Sequence, residues 1–164
     1  MMIEYKTATH DDLPKIVDIY NESIPGKLAT ADLEPVTVDD REEWFQQHND
    51  KRPLQVILVD DKIAGWISLS SFYGRPAYHE TVEVSIYIDN GFQHQGLGQQ
   101  AIDHVISLAP SIGVHSLLAF IFGHNTASRK LFERNGFEQC GHLPKIADMD
   151  GIDRDLEIYG LHVG

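Results

Sequence analysis

The segment from Thr81 to Ile106 constrains the fold of this chain more than any other stretch of its sequence. Thr81–Ile88 alternates polar and apolar residues, which is the pattern of a strand with one buried face. A loop, Gly91–Gly98, follows, and apolar residues then recur at helical spacing as far as Ile106. A glycine-containing loop between a strand and a helix presents free backbone N–H groups, and the helix dipole adds partial positive charge. The loop contains neither Lys nor Arg, so the sequence predicts a phosphate site formed mainly by the backbone.

Two common phosphate loops fit this segment poorly. A Walker-type loop needs Lys and then Ser or Thr after its last glycine, but Leu97 and Gly98 follow Gly96 here. The dinucleotide fingerprint G-x-G-x-x-A matches Gly96–Ala101, but it also needs an acidic residue about 20 residues later to bind a ribose. No Asp or Glu lies at that distance from the loop. Both interpretations are therefore disfavoured.

The spacing Gln93-x-x-Gly96-x-Gly98 resembles the Q/R-x-x-G-x-G/A pyrophosphate loop of the GCN5-related N-acetyltransferase superfamily. Residues on both sides of the loop resemble one subgroup, the phosphinothricin and methionine sulfoximine N-acetyltransferases. They are Ile19-Tyr20-Asn21, Ala29-Thr30, Glu34-Pro35, Trp44-Phe45, Gly65–Ser70, Phe72, Arg75, Ala77-Tyr78, Thr81–Ile88 and Asn125–Phe137. The resemblance extends over nearly the whole chain.

The resemblance implies a single N-acetyltransferase domain over residues 1–164 with an α/β (α+β) fold. Its mixed, mostly antiparallel central sheet would have about seven strands, with helices on both faces. The implied reaction is direct transfer of an acetyl group from acetyl-CoA, the co-substrate, to the amino group of a small amino acid or analogue, phosphinothricin-like or methionine sulfoximine-like. Two alternatives stay open: acetylation of a peptide or protein N-terminus, which needs an open groove, and CoA binding without significant catalysis. A homodimer is expected from the family.

Periodicity places the remaining elements. Strands are predicted at residues 3–8, 54–59, 62–70, 81–88, 116–122, 137–142 and 154–161, the last two separated by a loop. Helices are predicted after Thr9 and Thr37, each with a capping box, then from Gly98 towards Pro110 and at residues 125–135. The apolar run at residues 116–122 is typical of a strand buried on both faces.

The resemblance also implies which groups bind acetyl-CoA. Backbone N–H groups of the loop would hold the pyrophosphate, and the residues concerned are Gln93, His94, Gln95, Gly96, Leu97 and Gly98. The backbone at Ile86, Tyr87 and Ile88 would bind the pantetheine arm, because the central strands of this superfamily separate near that point. Asn125 matches a family Asn that contacts the donor, but its place at a helix start equally favours an N-cap. Basic residues of the same helix, beginning with Arg129, either reach the CoA phosphates or form a solvated face.

Glu83 is the candidate general base that deprotonates the acceptor ammonium, directly or through a water. It lies mid-strand on the face opposite the apolar residues and matches the family's Glu, and partial desolvation there would raise its pKa. An ordinary outward Glu on a half-exposed strand is the alternative. A backbone N–H near Tyr87 is the candidate oxyanion donor. Many superfamily members carry a Tyr general acid where this chain has Leu131 and Phe132, so the identity of a general acid stays open.

Arg75 is the candidate residue for orienting the acceptor. It lies in a loop between two predicted strands, beside the aromatic residues Phe72, Tyr73 and Tyr78. A guanidinium matches a carboxylate or phosphinate through two parallel hydrogen bonds, so this position favours an acceptor that carries an anion. Pairing with one of the chain's many carboxylates is the alternative.

Charge and cysteine content exclude several other classes of function. The net charge of −12 opposes nucleic acids and anionic membranes as partners, because both attract basic surfaces. Cys140 is the only cysteine, so no intrachain disulfide can form and a cytoplasmic protein is expected. The nine His residues show no metal-binding spacing, and no metal is expected.

Overall fold

Backbone hydrogen bonds join seven strands into one sheet in the computed structural model, which describes residues 1–164. The strands are β1 (Ile3–Thr7), β2 (Leu54–Val59), β3 (Lys62–Ser71), β4 (Thr81–Ile88), β5 (Ser116–Phe122), β6 (Glu138–Met149) and β7 (Ile152–His162). The helices are α1 (Leu13–Glu22), α2 (Glu42–Gln46), α3 (Leu97–Leu108) and α4 (Thr126–Arg134). The order across the sheet is β1-β2-β3-β4-β5-β7-β6, and only β4 and β5 run parallel. The predicted mixed, mostly antiparallel sheet is confirmed.

Side-chain alternation along the strands builds one core on each face of the sheet. On the α3 face, Val82 and Val84 pack with residues of α3 and α4 in a cluster of 17 buried side chains. On the α1 face, Val56 and Trp66 pack with residues of α1 in a smaller cluster. Cross-strand register places Tyr87 beside Trp66, so the odd-numbered residues of β4 lie on the α1 face. Helices therefore cover both faces, as predicted.

A capping box fixes where the second helical segment begins. The Thr37 N–H donates to the Asp40 carboxylate at 2.9 Å, and the Asp40 N–H donates to the Thr37 hydroxyl at 3.0 Å. The predicted box is confirmed, but the helix is short. A single 3₁₀ turn at Asp39–Arg41 precedes a regular helix of five residues. No helix in the molecule is both long enough and apolar enough to cross a membrane.

The C-terminal hairpin is longer than the sequence analysis predicted. Residues 143–153 were expected to form a loop, but β6 and β7 extend through most of that range and meet at a two-residue turn. Asp150 and Gly151 both have positive φ, at 55° and 88°, as a type I′ turn requires. Asp-Gly is a preferred sequence for this turn, and the prediction overlooked it. A register shift between Leu143 and Ala147 accommodates Pro144 within the strand.

The burial of β5 also differs from its prediction. The strand was expected to be covered on both faces, but burial alternates along it. Leu117, Ala119 and Ile121 are buried, whereas Leu118 and Phe120 remain partly open. Although β5 is mostly apolar, its α1 face is therefore not fully covered, because β4 diverges from it there.

Gly65 lets β3 approach β4 closely near the start of the phosphate loop. A Cβ at this position would lie 2.5 Å from the Tyr87 carbonyl oxygen. We expect Gly65→Ala to lower the free energy of unfolding by about 1–3 kcal/mol, because the two strands must separate to admit the methyl group. Urea denaturation measures this change. Gly26→Ala is the matched control, since its Cβ would meet only the Ser23 carbonyl oxygen at 3.8 Å; equal stability of the two variants would contradict the prediction.

Candidate active site

β4 and β5 begin as a parallel pair and then separate. Three residue pairs join them, the last being Glu83 with Leu118. Beyond that point β4 continues along β3, and β5 continues along β7. The gap is a cleft of about 350 Å³, a volume typical of sites for small ligands. It is lined by residues 83–87 of β4, residues 119–122 of β5 and residues 28–31 of the loop after α1.

Backbone direction along β4 decides which amides face this cleft. At both ends of the strand an odd-numbered residue bonds to the β3 side, through the Thr81 carbonyl and the Asp89 N–H. Hydrogen-bonding direction alternates along a strand, so even-numbered residues point the other way. Ile86 and Ile88 lie beyond the last pair with β5, so their N–H groups point into the cleft. The amide of Tyr87 faces β3, and this residue reaches the site with its side chain.

The loop between β4 and α3 is a run of free backbone donors. Every N–H from Gln93 to Gln99 lacks a hydrogen-bond partner within the protein. Gly96 caps α3 in the left-handed conformation, with φ of 78°, which glycine adopts without a steric cost. Consecutive unpaired amides at the N-terminus of a helix form a strong anion site. The structure therefore has the backbone arrangement that the loop sequence predicted.

Hydrogen bonds from side chains fix the position of this loop. The Asp89 carboxylate accepts the Gly91 N–H at 2.7 Å and the Lys15 ammonium at 2.8 Å. Burial alone would raise the pKa of Asp89, but the hydrogen bonds from Lys15 and Gly91 hold that pKa below its usual value. The Gln93 side chain donates to the Ile88 carbonyl at 2.9 Å. These contacts use the side chains to fix the loop and leave the backbone donors free.

Glu83 lies on the α1 face at the point where β4 and β5 separate. Its carboxylate is half-buried and makes neither a salt bridge nor a hydrogen bond within the protein. Burial raises the pKa of Glu83, because a carboxylate loses hydration when it is enclosed. Ser70 of β3 is its cross-strand neighbour. A desolvated carboxylate without a counter-charge is a stronger base than an ordinary Glu, which suits it to accept a proton from an acceptor ammonium.

Tyr87 is a structural wall of the cleft. Its ring stacks on Trp66 with the centroids 4.7 Å apart, and its hydroxyl donates to the Ala29 carbonyl at 3.0 Å. Burial strongly raises the pKa of Tyr87, and the nearby hydroxyl of Tyr20 raises it further. A hydroxyl that is already engaged and holds its proton so tightly is a poor acid. The structure therefore does not favour Tyr87 as the proton donor to a leaving group.

Asn125 occupies the N-cap of α4, as one of its two interpretations predicted. Its Oδ1 accepts the Ser128 N–H at 3.2 Å, and its Nδ2 donates to the Leu28 carbonyl at 3.2 Å. Asn125 also lines the cleft, so a contact with a bound donor stays a prediction. Arg129 donates to the Tyr159 hydroxyl at 2.9 Å. This guanidinium is therefore engaged inside the protein and is not free for a phosphate.

The predicted acceptor residues lie together outside the cleft. The ring of Phe72 packs on Tyr73 and Tyr78, with centroid distances of 4.4 Å and 5.5 Å. Arg75 is exposed in the same loop, and its guanidinium has no partner in the protein. None of the four lines the cleft beside Glu83. Tyr73 instead lines a second cavity of about 450 Å³ together with Ser70.

The sequence analysis missed the contribution of the segment after α1, which it described only as a loop. Residues 28–31 form one wall of the cleft. Thr30 is buried, and its hydroxyl lies 2.5 Å from the hydroxyl of Tyr20. The presence of Ala29-Thr30 among the residues of the resemblance was the one signal that pointed to a role for this segment.

Three potential metal ligands meet across β6 and β7, next to the end of β5 that borders the cleft. Ligand atoms of His142, Asp155 and Glu157 lie within 4.8 Å of one another across β6 and β7. His142 Nδ1 lies 2.7 Å from a carboxylate oxygen of the buried Glu157, and Gln139 donates to that carboxylate at 2.6 Å. Sequence spacing could not reveal a group assembled across strands. Protein contacts alone satisfy Glu157 here.

Comparisons with known proteins agree with this geometry. The profile of the Acetyltransferase (GNAT) family matches residues 13–137. YwnH of Bacillus subtilis, which bears the provisional name phosphinothricin acetyltransferase, is 49% identical over 156 residues, covering 94% of this chain and 96% of its own. An L-methionine sulfoximine/L-methionine sulfone acetyltransferase of Pseudomonas aeruginosa is 34% identical over 167 residues, covering 99% of this chain and 96% of its own.

A solved structure shows the same fold. The crystal structure of a GNAT superfamily phosphinothricin acetyltransferase (Pat) from Sinorhizobium meliloti, in complex with AcCoA, matches with a TM-score of 0.92 and 25% identity. The match covers 100% of this chain and 90% of that one. The family and the fold that the sequence predicted are both confirmed. Together with the separated central strands and the free amides at the start of α3, these matches show that the chain belongs to the acetyltransferase (GNAT) family.

Proposed function

We propose that this protein, as a single domain over residues 1–164, transfers the acetyl group of acetyl-CoA to the amino group of a small amino acid or amino-acid analogue. One observation carries the proposal. The strand β4, which borders the cleft, leads into a loop of free amides, and the cleft holds a half-buried carboxylate that has no counter-charge. Relatives named for phosphinothricin and for methionine sulfoximine support an acceptor of that type.

Backbone groups hold the donor in this proposal. The pyrophosphate of acetyl-CoA accepts hydrogen bonds from the loop amides, and the residues concerned are Gln93, His94, Gln95, Gly96, Leu97 and Gly98. The N–H groups of Ile86 and Ile88 continue this line into the cleft and bind the pantetheine arm. Tyr87 and Asn125 form the walls beside it. Because the loop contains neither Lys nor Arg, the backbone N–H groups and the helix dipole supply the positive potential for the pyrophosphate in this proposal.

Acetyl transfer then proceeds by direct attack. The acceptor ammonium gives one proton to Glu83, directly or through a water, and the freed lone pair forms an N–C bond with the thioester carbonyl. The N–H of Ile86 or Ile88 stabilises the negative charge that develops on oxygen. The C–S bond breaks with its electron pair on sulfur. The thiolate takes up the second proton of the nitrogen, since the Tyr87 hydroxyl is engaged with Ala29.

Arg75 orients the anionic end of the acceptor in this proposal, with Phe72, Tyr73 and Tyr78 as an apolar surface around it. Its free guanidinium supports this role, because a carboxylate or phosphinate would supply the partner that the protein does not. The position of Ser70 also supports this role, since Ser70 lines the second cavity with Tyr73 and is the cross-strand neighbour of Glu83.

We also propose a cytoplasmic homodimer that binds neither nucleic acid nor membranes. The outer strand β6 has no neighbour on one edge, and the hairpin that it forms exposes the apolar side chains of Leu143, Ile146 and Ile152. An exposed sheet edge with apolar side chains favours a second copy as its cover. Cys140 is an exposed free thiol, which supports a reducing compartment. The net charge of −12 opposes polyanionic partners.

A thiol-release assay with a panel of amines tests the reaction. We expect acetyl-CoA-dependent turnover with methionine sulfone, methionine sulfoximine or phosphinothricin, and much lower turnover with short peptides, because the cleft is small and partly closed by residues 28–31. Release of CoA with peptides alone would assign the protein to N-terminal acetylation. Binding of acetyl-CoA without turnover of any amine would contradict the proposal.

The substitution Glu83→Gln tests the role of Glu83 through two measurements, turnover and the pH dependence of stability. We expect kcat to fall by about 10²–10⁴-fold, because the amide cannot accept the proton. The raised pKa of Glu83 means that the folded state releases this proton less readily than the unfolded state. Wild-type stability therefore declines as the pH rises from about 4.5 through the raised pKa, and the Gln variant lacks this decline. Thermal unfolding from acidic to neutral pH should show a growing advantage of the variant.

Glu4→Gln is the control for that experiment, since Glu4 is exposed on the outer strand β1 and outside the cleft. It should leave kcat at the wild-type value. Full activity of Glu83→Gln would remove Glu83 as the base. The acid limb of the wild-type rate profile should also titrate above the usual pKa of Glu, which is 4.5.

A pair of glycine variants tests the backbone anion site. Gly96 caps the start of α3, and Gly113 follows the 3₁₀ turn (residues 109–112) that continues the helix beyond Leu108. Both have positive φ (78° and 76°), and a Cβ at either would meet nothing within 4 Å. We expect Gly96→Ala to weaken CoA binding by about tenfold or more in calorimetry, because the strained residue shifts the amides that contact the diphosphate. Gly113→Ala carries the same strain at the other end of the helix and should bind CoA normally. Equal affinities would place the diphosphate elsewhere.

A further inference from the structure

The loop after α1 is tied across the cleft through three consecutive carbonyl groups. Residues 27–31, here called the strap, receive one side-chain hydrogen bond at each of the first three positions. The pairs are His124 Nε2 with the Lys27 carbonyl at 2.8 Å, Asn125 Nδ2 with the Leu28 carbonyl at 3.2 Å, and the Tyr87 hydroxyl with the Ala29 carbonyl at 3.0 Å. Each anchor comes from a side chain that lies beside the cleft.

These anchors come from both sides of the gap. Tyr87 belongs to β4, whereas His124 and Asn125 follow β5 directly, so the strap bridges the two strands where they have separated. The base of the loop is closed as well, because the Asn21 side chain bonds both the N–H and the carbonyl of Val36 at 2.9 Å. The strap is thus held at its base and along its length.

The backbone at the start of the strap is strained. Lys27 has φ of 56°, a left-handed conformation that is unfavourable for a residue with a side chain. Its ammonium lies 2.6 Å from the Asp150 carboxylate, which ties it to the turn between β6 and β7. Strain of this kind persists only where surrounding contacts enforce it, and it is concentrated at functional sites.

His124 bears a second unfavourable feature. Because its Nε2 faces a carbonyl oxygen, this nitrogen must carry the proton, and Nδ1 is left as an acceptor. Nδ1 is buried and has no hydrogen-bond partner. Buried polar atoms almost always have partners, so an orphan atom calls for an explanation. In His124, the ring orientation that bonds Nε2 to the Lys27 carbonyl leaves Nδ1 without a partner.

We propose that His124 is a positioning residue for acetyl transfer: by holding the Lys27 carbonyl, it fixes the strap across the cleft and so limits the size of the acceptor that reaches Glu83. The strap and Glu83 line the same cleft, so a displacement of the strap changes the space beside the reacting nitrogen. This inference rests on the proposed function and adds a determinant of acceptor selectivity to it.

Two substitutions at His124 test the role. His124→Leu removes the donor, whereas His124→Gln keeps an N–H that can reach the same carbonyl. We expect His124→Leu to raise KM for methionine sulfone about tenfold and to increase the ratio of kcat/KM for a bulkier amino acid over it, with the Kd for CoA unchanged. His124→Gln should restore both values towards wild type. His162→Leu is the control, since His162 is exposed at the opposite end of β5 and β7.

Limited proteolysis gives a readout that does not depend on activity. Lys27 is itself a trypsin site, and cleavage there should accelerate in His124→Leu but not in His124→Gln or His162→Leu. Unchanged selectivity and cleavage in His124→Leu would overturn the inference, and so would equal losses for every acceptor with weaker CoA binding. If the wild-type protein turned over no amine, the proposed function would fail and the inference with it. Wild-type turnover with an unaltered His124→Leu profile would refute only the inference.

Discussion

The separation of β4 from β5 after three residue pairs is the constraint on which the rest of the site depends. A continuous parallel pair would satisfy every backbone group between the two strands and leave no space. Where the strands diverge, the N–H groups of Ile86 and Ile88 lose their natural partners, and unpaired amides away from water are costly unless a ligand replaces the missing strand. The divergence therefore creates both the cavity and the demand for an occupant with hydrogen-bond acceptors.

The alternation of a β-strand lets β4 serve two purposes at once. Its odd-numbered residues direct side chains to the α1 face, where Glu83 and Tyr87 lie, and bond their backbone to β3. Its even-numbered residues bury apolar side chains on the α3 face and direct their amides towards β5. The acid and the amides thus come from nearby residues of one rigid element, three and five positions apart. A shift of one residue in register would exchange the two sets and destroy both.

A loop rather than a strand forms the far side of the cleft. No strand covers the gap there, and the strap supplies the wall instead, held by Tyr87 of β4, by His124 just after β5 and by the ion pair of Lys27 with Asp150. A loop fixed in this way can change in sequence without altering the sheet. In the proposed function, a change in the strap can therefore alter acceptor selectivity without disturbing the backbone amides proposed to hold the donor.

Much of the fold could be predicted from the sequence, because the local pattern of polar and apolar residues reflects the local secondary structure. Alternation in Thr81–Ile88 and the glycine spacing of the loop predicted a strand, a loop of free backbone amides before a helix and the face that bears Glu83, and the structure has that arrangement. The errors also have local causes. The Asp150-Gly151 turn was overlooked, so a twelve-residue strand was cut short, and the apolar run of β5 concealed that one of its faces meets a cleft.

Sequence alone determined which backbone groups could bind an anion and which carboxylate would share a strand with them, because both follow from the period of a single element. Only the tertiary structure decided what else lines the cleft. Lys27 and His124 are 97 positions apart, and Arg75 lies outside the cleft although it is near Glu83 in the chain. Contacts between distant segments depend on how the loops close over the sheet, and no periodicity along the chain records that closure.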